Sequence, residues 1–188
     1  MAGETQKVTM GAGKWYVAPW ESGAIDFETL CVDDNLMGYT QGGAQITYTP
    51  ETYTIEDDIG MVRRTFQTKG TSEMKTGLLT FTIKSLAALM STGAISEKAA
   101  TTSATGLNTL KLSGGKTTLK KLLVGFVYTD DETGLKTYAG MVATNIAPLA
   151  LAFMKDKETV VDMTFSGESN GVDTTILTIA EETAKTAA

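Results

Sequence analysis

Two alternating stretches on either side of a long polar excursion constrain this chain more than any other feature. Residues 38–50 read Gly38-Tyr39-Thr40-Gln41-Gly42-Gly43-Ala44-Gln45-Ile46-Thr47-Tyr48-Thr49-Pro50, and residues 77–83 read Gly77-Leu78-Leu79-Thr80-Phe81-Thr82-Ile83. Successive strand side chains point to opposite faces, so Ala44, Ile46 and Tyr48 share one face and Gln45, Thr47 and Thr49 the other. On the return, Leu79, Phe81 and Ile83 oppose Thr80 and Thr82. Both strands thus have one apolar and one wettable face. That suits an antiparallel sheet with one wet side, and equally a sheet lining a water-filled channel.

Between them runs an arm over residues 51–76. Tyr53 and Ile55 alternate with polar residues, Asp57-Asp58-Ile59-Gly60 turns the chain, and Lys69-Gly70-Thr71-Ser72 turns it again. A long excursion from a compact domain is usually functional or disordered. The acidic Asp57 and Asp58 and the basic Arg63 and Arg64 offer complementary charges to a second copy of the chain. Ile59, Met61, Val62 and Phe66 offer apolar contact area. One reading is an assembly arm that orders when subunits meet; the other is a two-stranded extension packing on its own domain.

Around the arm the inventory is mainly β. A first strand starts near Trp15-Tyr16-Val17-Ala18. A helix begins at Ser85 as N-cap, sets Leu86, Leu89 and Met90 on one face and stops at Gly93. Residues 96–106 form a small-residue linker, and Ser113-Gly114-Gly115 turns between residues 107–112 and the next strand. Residues 118–128 and 135–144 form a hairpin closed by Asp130-Asp131-Glu132-Thr133-Gly134. Residues 149–154 and 159–166 form a final pair, with Val161, Met163 and Phe165 inward and Asp162, Thr164 and Ser166 outward. A short strand follows near residues 176–179. The expected fold is one domain over residues 1–188, with flexible ends: a β-sandwich or flattened barrel of antiparallel strands, one short flanking helix and a long hairpin arm.

Chemistry is sparse. The 188 residues contain no histidine, which removes the commonest general base and metal ligand. Cys31 is the only cysteine, so neither an internal disulfide nor a cysteine cluster can form. Gly11-Ala12-Gly13-Lys14 is no phosphate loop, because Val8 stands where its first glycine belongs and Trp15 follows the lysine. Ser113-Gly114-Gly115-Lys116-Thr117 fails likewise at Leu110. Asp33-Asp34-Asn35-Leu36-Met37-Gly38 resembles a calcium loop, yet Met37 occupies a ligand place and Ala44 the closing glutamate. No catalytic, cofactor or metal site is expected, and the chain reads as a non-enzyme. A net charge of −6, with Arg63-Arg64 and Lys120-Lys121 as the only basic doublets, argues against a phosphate-gripping surface. No apolar run approaches the ~20 residues that span a bilayer. The start lacks a signal peptide's basic flank and apolar stretch, so a cytoplasmic protein is expected.

The stretches GYTQGGAQITYTPE, GLLTFTIKSLAALM and LAFMKDKETVVDMTFSGES, in this order, resemble the major tail tube proteins of long-tailed bacteriophages and of related bacteriocin-like particles. The resemblance covers well under half the chain. It implies a virion structural protein assembling into hexameric rings that stack as a hollow helical polymer for DNA ejection. The arm would contact adjacent subunits and the next ring through Asp57, Asp58, Ile59, Met61, Val62, Arg63, Arg64 and Phe66. Gln45, Thr47, Thr49, Thr80 and Thr82 would face a lumen whose acidity repels DNA. Other implied partners are sheath, tape measure or terminator proteins, and the implied location is the host cytoplasm and then the virion tail. The alternative is a non-catalytic β-sandwich binding a carbohydrate or surface ligand, with Trp15, Trp20 and tyrosines as a stacking platform.

Overall fold

The computed structural model describes residues 13–183 except Gly60, Val62, Ser91, Met154 and Lys157. Ten strands and two short helices follow in chain order: β1 (Lys14–Pro19), α1 (Phe27–Leu30), β2 (Leu36–Gly38), β3 (Thr40–Glu56), β4 (Arg63–Leu78), α2 (Ile83–Leu89), β5 (Gly93–Lys98), β6 (Leu107–Leu112), β7 (Leu122–Thr129), β8 (Lys136–Asn145), β9 (Val161–Glu168) and β10 (Thr178–Glu181). The main sheet runs β2-β1-β7-β8-β9-β4-β3, with β10 also on β8, while β5 and β6 pair apart. Every pairing is antiparallel. The terminal stretches expected to be flexible lie largely outside the described residues.

This sheet curls back on itself. Its two edge strands, β2 and β3, are separated in the chain only by Tyr39. Leu79 donates its N–H to the Tyr39 carbonyl at 2.9 Å, and the Tyr39 N–H reaches Thr80 Oγ1 at 2.8 Å. One stretch of backbone therefore closes a flattened barrel where a hydrogen-bonded ladder does not. The interior agrees: β1 and β9 lie three strand spacings apart, roughly 14 Å in a flat sheet, yet the Trp15 and Phe165 rings stack at 6.0 Å. One small internal void is lined by Trp15, Met37, Leu78 and Phe165, which belong to four different strands.

Alternation explains the core. Trp15, Val17, Met74, Leu78, Val124, Met141, Val161, Met163 and Phe165 are buried at inward positions, and Leu86 and Leu89 of α2 complete the cluster at one end. That helix starts earlier than expected. Thr82 is its N-cap, and Ser85 is the other half of a capping box: Thr82 Oγ1 accepts from the Ser85 N–H at 3.1 Å, and Ser85 Oγ from the Thr82 N–H at 2.9 Å. Accordingly β4 ends at Leu78, and residues 79–82 are a bend and cap loop whose Phe81 still packs on the core.

Four further expectations are corrected. Lys69-Gly70-Thr71-Ser72 runs straight through β4 without turning. The expected linker begins as strand β5, whose partner is β6, so Ser113-Gly114-Gly115 joins no hairpin. Residues 149–153 form no strand; the partners of β9 are β4 and β8. The Asp33–Asn35 segment is a single 3-10 turn, and two short helices stand where one was expected.

A second, smaller cluster lies on the outer face, around Tyr16, Leu30 and Val127. It depends on two glycines paired across β7 and β8, Gly125 and Gly140. A Cβ on Gly125 would meet Leu30 at 2.6 Å, and one on Gly140 would meet Phe27 at 2.7 Å. The flat trough they leave seats α1, whose N-cap Asp26 accepts from the Glu28 N–H at 3.0 Å. Gly140→Val should therefore lift α1 and cost about 1–3 kcal/mol by overpacking. Denaturation reads the loss, and faster thiol labelling at Cys31, now half-buried with its pKa raised by burial, reports the displaced helix. Unchanged stability and labelling would refute this seating.

The end of β10 is tied to β8 by Glu182. Its carboxylate accepts from the Tyr138 hydroxyl at 2.6 Å and the Lys136 N–H at 3.0 Å. The bond from Tyr138 holds the Glu182 pKa below its ordinary value, while the same bond and burial push the Tyr138 pKa up to about 12.

Candidate assembly site

The β3–β4 hairpin is anchored to the sheet at its root, and beyond the root no further strand pairs with it among the described residues. β4 pairs with β9 only from Glu73 to Leu78, with Met74 and Ile46 facing each other toward the core. Ser72 makes the last tie to the body, its hydroxyl donating to the Ile176 carbonyl at 2.9 Å. Past it the two strands pair with each other alone. From Thr49 to Glu56 the ribbon extends roughly 23 Å at ~3.3 Å per residue. The excursion is thus a two-stranded ribbon continuous with the sheet, standing off the domain rather than folding back on it.

A bulge decides what this ribbon displays. Glu51 pairs with Lys69, but Thr52 pairs with Gln67, so Thr68 is an extra residue; its hydroxyl donates to the Glu51 carbonyl at 3.1 Å. One inserted residue exchanges the two faces of a strand. Phe66 therefore lies opposite Tyr53, and Arg64 opposite Ile55, on the side away from the core-facing row. Tyr53, Ile55 and Phe66 are all exposed there. At the tip Ile59 is exposed and Met61 is 81% exposed. A water-exposed cluster of this kind marks an interaction surface more often than an idle one.

The residues expected at the interface fall as follows. Asp57, Asp58, Ile59 and Met61 form the turn, Asp57 being half-buried and the others exposed; Val62 lies outside the described residues. Arg63 faces Glu56 across the ribbon, while Arg64 and Phe66 share the apolar face. Tyr53 and Ile55 belong to that face as well and were missed at the sequence level. Their alternation was legible, but their pairing with Phe66 and Arg64 needed the bulge.

Of the residues expected to face a lumen, Gln45, Thr47 and Thr49 do share the outer face of β3, opposite Lys75, Glu73 and Thr71. With Asp162 and Thr164 of β9 this makes a wettable strip, on which Lys75 pairs with Glu73 at 3.1 Å. Thr80 and Thr82 do not join it. Thr80 accepts from Tyr39, and Thr82 caps α2, because the chain leaves the sheet after Leu78.

The outer edge of β3 has no strand partner among the described residues. Its unpaired N–H and C=O groups are a template for another strand. Of the two tryptophans expected in a stacking platform, Trp15 is 1% exposed and faces the core, while Trp20 is half-buried. Among the described residues no helix is long and apolar enough to cross a membrane.

Fold and site together define a mainly antiparallel β protein with an exposed, partly apolar hairpin. The chain matches no protein-family model, and no curated protein matches it in sequence.

Proposed function

We propose that this chain is a self-assembling structural subunit of a phage tail tube, forming stacked rings, hexameric by the sequence resemblance, around a hollow conduit for DNA. The observation that carries the reading is the projecting β3–β4 ribbon with Tyr53, Ile55 and Phe66 exposed on one face. An isolated domain gains nothing by holding these side chains in water. A repeating assembly buries them, at about 25 cal/mol per Å² of apolar surface removed. The unpaired β3 edge supports the same reading, because ring closure removes edges that otherwise invite aggregation. The wettable strip around Gln45, Thr47 and Thr49 would contribute to the channel wall. Sheath, tape measure or terminator proteins would then be the partners beyond the chain itself, and DNA would pass without specific binding.

Negative-stain electron microscopy over a concentration series tests this. Rings or tubes of uniform diameter are expected; monomers at every concentration would count against it. Arg64→Glu adds the electrostatic test. Arg63 already faces Glu56, so reversing its charge would set two carboxylates opposite each other within the ribbon. Arg64 faces Ile55 and is the cleaner probe. Assembly by the Arg64 variant should need several-fold higher protein and lose its resistance to added salt. Unchanged polymer yield would make charge incidental.

A further inference from the structure

The connection from β8 to β9 is a second exposed apolar feature among the described residues. No charged residue stands between Lys136 and Lys155. Along β8 that composition is accounted for by burial, but past Asn145 it is not. Ile146 and Leu151 are exposed, and Phe153 is 80% exposed. The stretch is nevertheless held in place. Ile146 donates its N–H to the Thr164 carbonyl at 2.9 Å, Ala147 to Asn145 Oδ1 at 3.1 Å, and the Thr159 hydroxyl donates to the Ala152 carbonyl at 2.8 Å. Leu149, Leu151 and Phe153 alternate as strand residues do, yet form no strand within the monomer.

Strand register places this stretch at the far end of the barrel from the arm. The β4–β9 ladder runs from Leu78 opposite Val161 to Glu73 opposite Ser166. The arm departs beyond the Glu73 end, and the connection arrives at the Val161 end. One chain thus carries an exposed apolar ribbon at one pole and an exposed, uncharged apolar stretch at the other. Two different patches on opposite poles make a head-to-tail contact, which propagates into rings or filaments. The rims match in charge as well. Arg64 sits on the apolar face of the ribbon and Asp58 at its tip, while Lys155 and Asp156 follow Phe153.

We propose that residues 146–153 of one copy are the seat for the Tyr53, Ile55 and Phe66 face of the arm of a second copy. This rests on the assembly reading above and names the two surfaces that meet. The alternation of Leu149, Leu151 and Phe153 suits pairing along a free edge of the ribbon, which supplies the strand partner that this stretch does not have among the described residues.

The test uses the full chain with Cys31→Ser, carrying either Phe66→Cys or Phe153→Cys. Under mild oxidation a mixture of the two should form a disulfide-linked pair at least tenfold above either variant alone. Separately, the double variant Leu151→Asp, Phe153→Asp should keep the wild-type circular dichroism spectrum and need at least tenfold more protein to polymerise. If the wild type polymerises while the mixture does not cross-link and the double variant assembles normally, the seat is wrong and the assembly reading stands. If the wild type stays monomeric throughout, both fall.

Discussion

On the proposed assembly, replacing residues 50–70 with an Asn-Gly turn should yield a folded monomer that does not polymerise. The cut falls beyond Thr49 and Thr71, which are directly paired, so the remaining strand ends are level and a two-residue turn can close them. No residue in the excised span belongs to the hydrophobic core; the nearest core members are Ile46 and Met74 at the root. Exposed positions of this kind contribute within about ±0.5 kcal/mol each, so the melting temperature should move by only a few degrees. Assembly should be abolished, since the ribbon's apolar face goes with it. Electron microscopy and a thermal melt on one preparation read both effects. A truncated protein that still polymerises would remove the arm from the mechanism, and one that fails to fold would show that the ribbon stabilises the barrel.

The largest stability effect should come from Phe165→Ala. The side chain is 1% exposed on β9 and stacks on Trp15, which reaches it from β1 across the closed interior and also touches Phe126 at 5.4 Å. Truncating a buried phenylalanine costs about 3–5 kcal/mol, the transfer loss plus the cavity left behind. That is a large part of the ~5–15 kcal/mol holding a domain together. Taken with about 2–4 °C per kcal/mol for a chain this long, the melting temperature should fall by roughly 6–20 °C. Tyr53→Ala is the paired control and should change the monomer's stability little. A loss under ~1 kcal/mol for Phe165→Ala would mean that β1 and β9 do not meet and that the sheet is open.

Several features of this fold are legible one residue at a time. Residues 15–18 and 118–128 read as strands where β1 and β7 stand, and alternation in residues 161–166 marks β9 and assigns its inward side chains correctly. The acidic turn ending in Gly134 places the β7–β8 hairpin, and the wide excursion after Pro50 marks the ribbon. Each of these depends on local chemistry: the period of 2, turn residues, a stretch too polar to be core.

Partner, register and closure are not local. The alternation of Leu79, Phe81 and Ile83 reads as a strand, but the Thr82–Ser85 capping box and the bond from Leu79 to Tyr39 turn the backbone into a loop and helix. The alternation of Leu149, Leu151 and Phe153 is as good as that of β9, yet among the described residues no strand pairs with it. Thr68 looks like any threonine, and only its place opposite Glu51 makes it the bulge that turns Phe66 toward Tyr53. The sequence alone determined which stretches can be strands and which face of each is apolar, because a strand's own residues carry that period. Which strands meet, where the register slips and which apolar residues stay in water were decided by the tertiary structure, because a backbone N–H or C=O bonds whichever edge the closed barrel brings to it.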